Sequence, residues 1–399
     1  MNKQNEDISE VNADFLQTEE TVKAESENKA EQKSVTKDEL DDFIYVIPRK
    51  HRKRKHHSSR KKRNRVPKII ITVLCVLIAI VLAAIAAVTV LINVGKGELV
   101  GDTDNVVIEI PDKVDNSDNG KYIIYNGEKY KYNENITSIL FMGIDKRGFD
   151  ENDELIGANG DADALILMAY DTKTGKSNLI SISRETMAYM NVYSSDGAFV
   201  GTKKQQLCLA FAYGDGKETS CENQVDAVQK LFYNVPINSY IALDLDGIAY
   251  MNDAVGGVTV ESLETFKNFT EGEVVTLYGD NAETYVRYRD ITQVDSNNNR
   301  MKRQKQYLNA FFNQLVTQTK SNVTTVVDLY NAASPYVVTN VGVGKAVYLA
   351  NSVLQGSFSD FDMQNVPGTV TMGEKYAEFN IDEDAFFELF LEIYYDKVS

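Results

Sequence analysis

Histidine is almost absent from this 399-residue chain: His51, His56 and His57 are all there is. Nothing downstream of them can assemble a Ser-His-Asp or Cys-His triad. The GxSxG elbow and the GxxxxGK[ST] phosphate loop are missing too, which removes two common routes to nucleophilic and nucleotide chemistry. Cysteine is also scarce. Cys75 lies in an apolar run, Cys208 and Cys221 stand 13 positions apart, and no CxxC or Cys/His spacing points to zinc. An oxidising exterior permits a disulfide between the last two, worth roughly 3 kcal/mol by loop entropy, but the sequence leaves that pairing open.

Arginine is the third scarcity. From Gly95 onward there are 25 Lys+Arg against 45 Asp+Glu, a net of 25 − 45 = −20, and only six of the cations are arginines: Arg147, Arg184, Arg287, Arg289, Arg300 and Arg303. Guanidinium forks clustered in an acidic body point to a bound anion, whose oxygens they grip two at a time. The alternative is salt bridging to the abundant carboxylates.

What the chain does have is a 24-residue uncharged run, Ile69 to Ile92, long enough for a helix of about 36 Å that crosses a bilayer. The block before it, 49–68, carries 12 Lys+Arg, which sets its side of the membrane as cytoplasmic and touches anionic lipid heads. Residues 1–48 hold 13 Asp+Glu and few large apolar side chains. Such a segment cannot offset its ordering entropy. The expected organisation is a disordered acidic cytoplasmic tail (1–48), a basic juxtamembrane segment (49–68), a transmembrane helix (69–92), an extracellular spacer (95–119) and an extracellular catalytic domain (120–399). The expectation is a single-pass protein of the cell membrane with its amino terminus inside.

Within the last segment, Asn126-Gly127 between tyrosine-rich runs signals a hairpin over 121–133. Apolar runs at 136–144, 164–170, 178–183 and 239–245 read as buried strands, and VTV and ETYVRYRD continue that pattern. Residues 203–213, 222–233 and about 297–319 read as helices. The mixture predicts an α/β fold, a mixed central sheet sandwiched between helices, with one N-terminal transmembrane helix.

Three turns carry polar residues: GIDKR at 143–147, SRET at 183–186 and VRYRD at 286–290. Ligands of α/β sheets gather at the carboxyl ends of strands. A strand over VRYRD places Arg287 and Arg289 on one face. On the helix that follows, Arg300, Arg303, Gln304 and Tyr307 form one stripe available to a ligand, while Met301, Leu308, Phe312 and Leu315 form the apolar one; a solvated basic face is the plainer reading. Asp145, Asp161 and Asp163 supply carboxylates that can share a magnesium ion, though aspartates at turns are ordinary. An enzyme without histidine works with carboxylates, arginines and metal, which suits displacement at phosphorus.

In collinear order, GIDKR, DADALILMAYD, SISRET, AFAYGDG, SYIALDLDGIAYMNDAVGGVTV, VRYRD and NRMKRQ, over about 135–316, resemble the LytR-CpsA-Psr family. The resemblance implies an envelope phosphotransferase that moves a glycopolymer, teichoic acid or capsule for instance, from its polyprenyl-pyrophosphate carrier to peptidoglycan. A phosphodiester forms and polyprenyl phosphate leaves. By the same resemblance Arg147, Arg184, Arg287, Arg289, Arg300 and Gln304 bind the pyrophosphate, Asp145 and Asp163 hold Mg²⁺ (or Mn²⁺), and Arg184, Asp163, Arg289 and Arg300 act in catalysis. The prenyl tail is expected in an apolar tunnel within the sandwich. Departures exist: Asp161-Ala162-Asp163-Ala164 stands where many members have Arg-Ser-Asp-Thr, Ser183-Arg184-Glu185 where Pro-Arg-Asp is common, and Met187-Ala188 where a further arginine often follows. The rival readings are a membrane-bound envelope sensor or transcriptional regulator, and a polyprenyl-pyrophosphate hydrolase. No helix-turn-helix pattern is present, and nucleic acid is not an expected partner.

Overall fold

The computed structural model describes residues 66–101, 106–149, 159–290, 296–321, 325–355 and 363–398. The expected acidic tail and the basic segment up to residue 65 lie outside them. The first element, α1 (Val66–Val100), contains the whole uncharged run. Over Ala79–Val100 it is long and apolar enough, by length and composition, to cross a membrane. Gly101 ends it: with φ of 69° its N–H bonds the Gly97 carbonyl at 3.0 Å, a left-handed cap that suits a residue without Cβ.

Strands β1 (Asp115–Ser117), β2 (Tyr122–Tyr125) and β3 (Glu128–Tyr132) precede β4 (Ile136–Ile144), β5 (Ala162–Asp171) and β6 (Ser177–Ile182). A ribbon of β7 (Met187–Tyr193) and β8 (Phe199–Gln206) leads to helices α2 (Leu209–Ala212) and α3 (Glu218–Leu231), then β9 (Ile237–Leu243) and α4 (Gly247–Ala254). After the pair β10 (Val258–Glu261) and β11 (Val274–Leu277) come α5 (Asp280–Arg287), the long α6 (Ser296–Ser321) and α7 (Thr325–Ala333). The chain continues through β12 (Val337–Thr339), α8 (Val343–Leu354), β13 (Met363–Asn365), the hairpin β14 (Gly368–Met372) and β15 (Ala377–Ile381), α9 (Glu383–Tyr394) and β16 (Tyr395–Val398).

The central sheet is mixed, in the order β12-β9-β4-β5-β6-β13. Strand β4 runs parallel to β9 and antiparallel to β5, which is antiparallel to β6. The carboxyl ends of β4, β6 and β9 therefore share one edge with the amino end of β5. Alternation along the strands feeds two cores. Leu140, Met142, Leu165 and Leu167 face α2, α3 and α9, while Ile139, Ile166 and Met168 face α5, α6 and α8. Each buried Phe or Leu contributes roughly 1.5–3 kcal/mol. The expected sandwich of helices around a mixed sheet is what forms. A second sheet, β1-β2-β3-β16, joins the hairpin to the far end of the domain; its turn has Asn126 and Gly127 at φ of 51° and 80°, as a type I′ turn requires.

Several expectations need correction. The stretch 95–119 is not a free spacer in its described part: residues up to Val100 continue α1, and Val106, Ile108 and Val114 are buried in the first core, with Ile108 and Glu109 bonded through their N–H groups to the Asn119 and Tyr233 carbonyls. Residues 203–206 belong to β8 rather than to a helix, paired with β7 across a turn at Ser194–Ala198. ETYVRYRD is not a strand. Gly279, Asp280 and Glu283 at its front and Ala282, Tyr285 and Val286 at helical spacing make α5, so strand alternation does not align Arg287 with Arg289. Cys208 and Cys221 are both buried and free.

The stripes on α6 also differ from expectation. Arg303 is 2% exposed and Tyr307 is buried, whereas Met301 is 45% exposed. Arg303 donates from Nε to the Tyr285 carbonyl at 2.8 Å, from its other nitrogens to Glu264 and the Tyr288 carbonyl, and lies over the Phe266 ring. It satisfies the orphan carbonyls at the end of α5 and fastens that helix to α6.

Candidate active site

One edge of the sheet gathers the polar turns. A register shift between β4 and β5 places Gly143 opposite Ala164 and Ile144 opposite Ala162, so Asp163 is the extra residue of a bulge. The bulge breaks the alternation: Ala162 and Leu165, three apart, both reach the first core, and Asp163 is turned toward the edge. Backbone bonds lace the neighbouring turns together. Asp145 N–H donates to the Asp161 carbonyl at 3.0 Å, Cys208 N–H to Arg184 at 3.1 Å and Leu245 N–H to Lys146 at 3.0 Å.

On this frame the charged groups interlock. Arg184 pairs with Asp163 and lies 3.7 Å from Asp161. Arg287 reaches Asp145 at 3.1 Å and Glu283 at 2.7 Å; Arg147 reaches the same Glu283 oxygen at 2.6 Å and also pairs with Asp246. A chain thus runs Asp246, Arg147, Glu283, Arg287, Asp145. Arg300, half-buried on α6, has its pKa lowered by burial, with Asp163 opposing and Arg289 and Arg184 adding to the fall. Those dependences put Arg184, Arg289, Arg300 and Asp163 in one electrostatic neighbourhood. Of the expected anion-binding residues, Arg147, Arg184, Arg287, Arg289 and Arg300 meet at this edge. Gln304 instead donates its amide to the Val286 carbonyl at 3.1 Å and, like Arg303, ties α6 to α5.

Sequence reasoning missed Glu283, Asp244 and Asp246. Glu283 spaces two arginines; its signal was the acidic first turn of α5. Asp244 is 1% exposed and accepts N–H bonds from Gly247 at 2.8 Å and Gly148 at 3.1 Å, holding the Arg147 turn against α4. Burial raises its pKa from 3.8 to about 6, the two N–H bonds opposing and Asp246 adding to the rise. A raised folded pKa means stability that is full below the unfolded value and lost as pH climbs through the folded one. Asp244→Asn should therefore flatten the fall in stability between about pH 4 and pH 6, read from melting curves across that window.

The carboxylates fit a hard cation. Burial raises the pKa of Asp161 and of Asp163; Arg184 opposes the rise, and repulsion from Asp145 adds to it in both. A divalent ion would relieve that crowding. Among the described residues no group of three or more His, Cys, Asp or Glu side chains could hold a metal by itself. One or two carboxylates, with water and phosphate supplying the other oxygens, is the ligand chemistry that magnesium uses.

The family model described as the LytR_cpsA_psr family matches residues 103–392. A Bacillus cereus protein named polyisoprenyl-teichoic acid–peptidoglycan teichoic acid transferase TagU is 31% identical over 208 residues, 51% of this chain and 60% of that one. The Bacillus subtilis TagU of the same name is 26% identical over 260 residues, 64% and 76% of the two chains. This chain thus spans about three fifths of the length of the first of these relatives. Among solved structures, Bacillus subtilis TagV overlays with a TM-score of 0.52 at 24% identity, covering 65% of this chain and 95% of that one, and protein gbs0355 of Streptococcus agalactiae with 0.53 at 19%, covering 65% and 86%. A match across most of the chain, on a fold those structures share, places this protein in the LytR-CpsA-Psr family.

Proposed function

We propose that this protein transfers an anionic cell-wall glycopolymer of teichoic-acid type from a polyprenyl-diphosphate carrier to peptidoglycan. The observation that carries the reading is the meeting of Arg184, Arg289 and Arg300 with Asp145, Asp161 and Asp163 at one sheet edge, in a family whose TagU relatives are named for that transfer.

The arginines grip the two phosphates by paired N–H bonds and orient the phosphorus that carries the glycan. A sugar hydroxyl of the acceptor forms a bond to that phosphorus, the bridging P–O bond breaks, and polyprenyl phosphate leaves with the electron pair. The hydroxyl proton passes to a carboxylate of the edge, Asp163 or Glu185, the first being a poor base if it holds the metal. Asp145 and Asp163 would hold Mg²⁺ (or Mn²⁺), whose chemistry is to neutralise charge building on the phosphate oxygens. Because Asp163 and Asp145 pair with Arg184 and Arg287, binding of metal and diphosphate would exchange those ion pairs for contacts with the phosphate oxygens.

The test is transfer by the purified full-length chain. With a polyprenyl-diphosphate glycan and peptidoglycan, labelled polymer should appear on the wall fraction, cease with EDTA and return with Mg²⁺. Hydrolysed glycan phosphate forming at the same rate with and without peptidoglycan would favour the hydrolase instead. A deletion of residues 1–66 that abolishes wall-polymer attachment in cells while leaving purified activity whole would favour regulation.

A further inference from the structure

The anchor helix does not stop at the domain; it is built into it. Leu99 is fully buried, and its carbonyl accepts the Thr137 hydroxyl at 2.7 Å and the Asn238 amide at 3.2 Å. The same amide donates to the Val100 carbonyl at 2.6 Å. One turn earlier the backbones touch: a Cβ on Gly95 would lie 1.9 Å from the Gly344 carbonyl oxygen at the start of α8, and no side chain there could yield. Ile92 packs against the second core, as does Leu349 of α8. Lys345 closes the joint, its ammonium bonded to Asn238, Ser239 and Asn340 at 3.0–3.3 Å, with burial lowering its pKa against the pull of Glu98.

The uncharged stretch continues through Asn93 and Val94 to Gly95, its last residue before the first charge at Lys96. Whatever touches Gly95 therefore stands at the depth of lipid headgroups. Thr137 opens β4 and Asn238 lies near the start of β9, whereas Asp145 and Asp244 close them. Helix α8 passes the same edge as the joint, since Tyr348 meets Tyr170, the partner of Thr137 in the ladder, at 6.5 Å between ring centres. The joint and the arginine edge are thus at opposite ends of the strands, about 27 Å apart along β4.

We propose that the domain rests on the bilayer surface by the joint edge, with Val343 and Gly344 of α8 at headgroup level and the arginine edge held away from the lipid. Val343 is 58% exposed, an apolar side chain set where a headgroup layer can cover it. The face is committed to lipid by the helix that delivers it there. This inference needs α1 to span a membrane but does not depend on the proposed reaction.

The test uses the full chain in nanodiscs, with Cys75→Ala to leave the buried Cys208 and Cys221 as the native thiols. A fluorophore on Val343→Cys should be quenched strongly by headgroup-labelled lipid. One on Met372→Cys, 80% exposed on the hairpin that bonds Glu185 beside the site, should barely be quenched. Adding Gly95→Leu should remove most of the quenching at position 343 and lower the melting temperature, with the measurement made well below it on folded protein. Equal quenching at both positions, or full quenching at 343 in the Gly95→Leu chain, overturns the proposal.

Discussion

Arg300→Ala lowers polymer transfer by about two to three orders of magnitude while the fold melts at its usual temperature. The two halves of that result have one cause. Burial and the nearby Arg289 and Arg184 work against the Arg300 charge, with Asp163 opposing, so the folded protein gains little by carrying it. A group held charged at a cost is one whose benefit comes from something that binds. In the proposed reaction the diphosphate adds its charge to that of Asp163 beside Arg300, so the loss on truncation would appear in turnover rather than in stability. Lysine at this position should recover only a part, because a point charge cannot span two phosphate oxygens as a fork does. Transfer that continues at the original rate in the alanine variant places the site elsewhere on the molecule.

Arg303→Met gives the opposite pattern. Three residues along the same stripe of α6, this guanidinium already has every partner it needs: Glu264, the Tyr285 and Tyr288 carbonyls, and the Phe266 ring. Removing it strands a partly buried carboxylate and the carbonyl end of α5, a loss of about 3–5 kcal/mol. The melting temperature of the full chain in detergent should fall by about 10 °C. Residual transfer, measured well below the new melting point, should stay close to normal per folded molecule. A variant with unchanged melting and no transfer would make Arg303 part of the binding machinery.

The contrast shows what a sequence can and cannot convey about such a site. The scarcity of arginine singled out a set that the fold does bring together, since Arg147, Arg184, Arg287, Arg289 and Arg300 lie at one edge of the sheet. Helical spacing could not separate Arg300 from Arg303, because both lie on one stripe and the difference is made by where α5 ends. Strand β4 was legible because nine residues without a charge, most of them apolar, favour burial, and the Asn126-Gly127 hairpin because positive φ admits few residue types. VRYRD misled for a physical reason: its alternation imitates a strand, while the signals that override it lie upstream in Gly279, Asp280 and Glu283. Strand β8, rich in lysine and glutamine, has no local reason to be extended; β7 supplies it. Glu283 passed unnoticed since an acid in a first helical turn is common, and its task of spacing two cations is visible only in three dimensions.

The pairing of β16 with β3 sets a condition on how the domain is made. The small sheet needs a strand from each extremity of the domain, so the hairpin Tyr122–Tyr132 waits with one edge open while everything between is synthesised. Contacts of such long sequence separation form late and slowly. Helix α9, which delivers β16, also brings Phe386, Phe387 and Phe390 to the first core, so that core stays unsealed for the same interval. This order keeps the domain unlocked until β16 has been made.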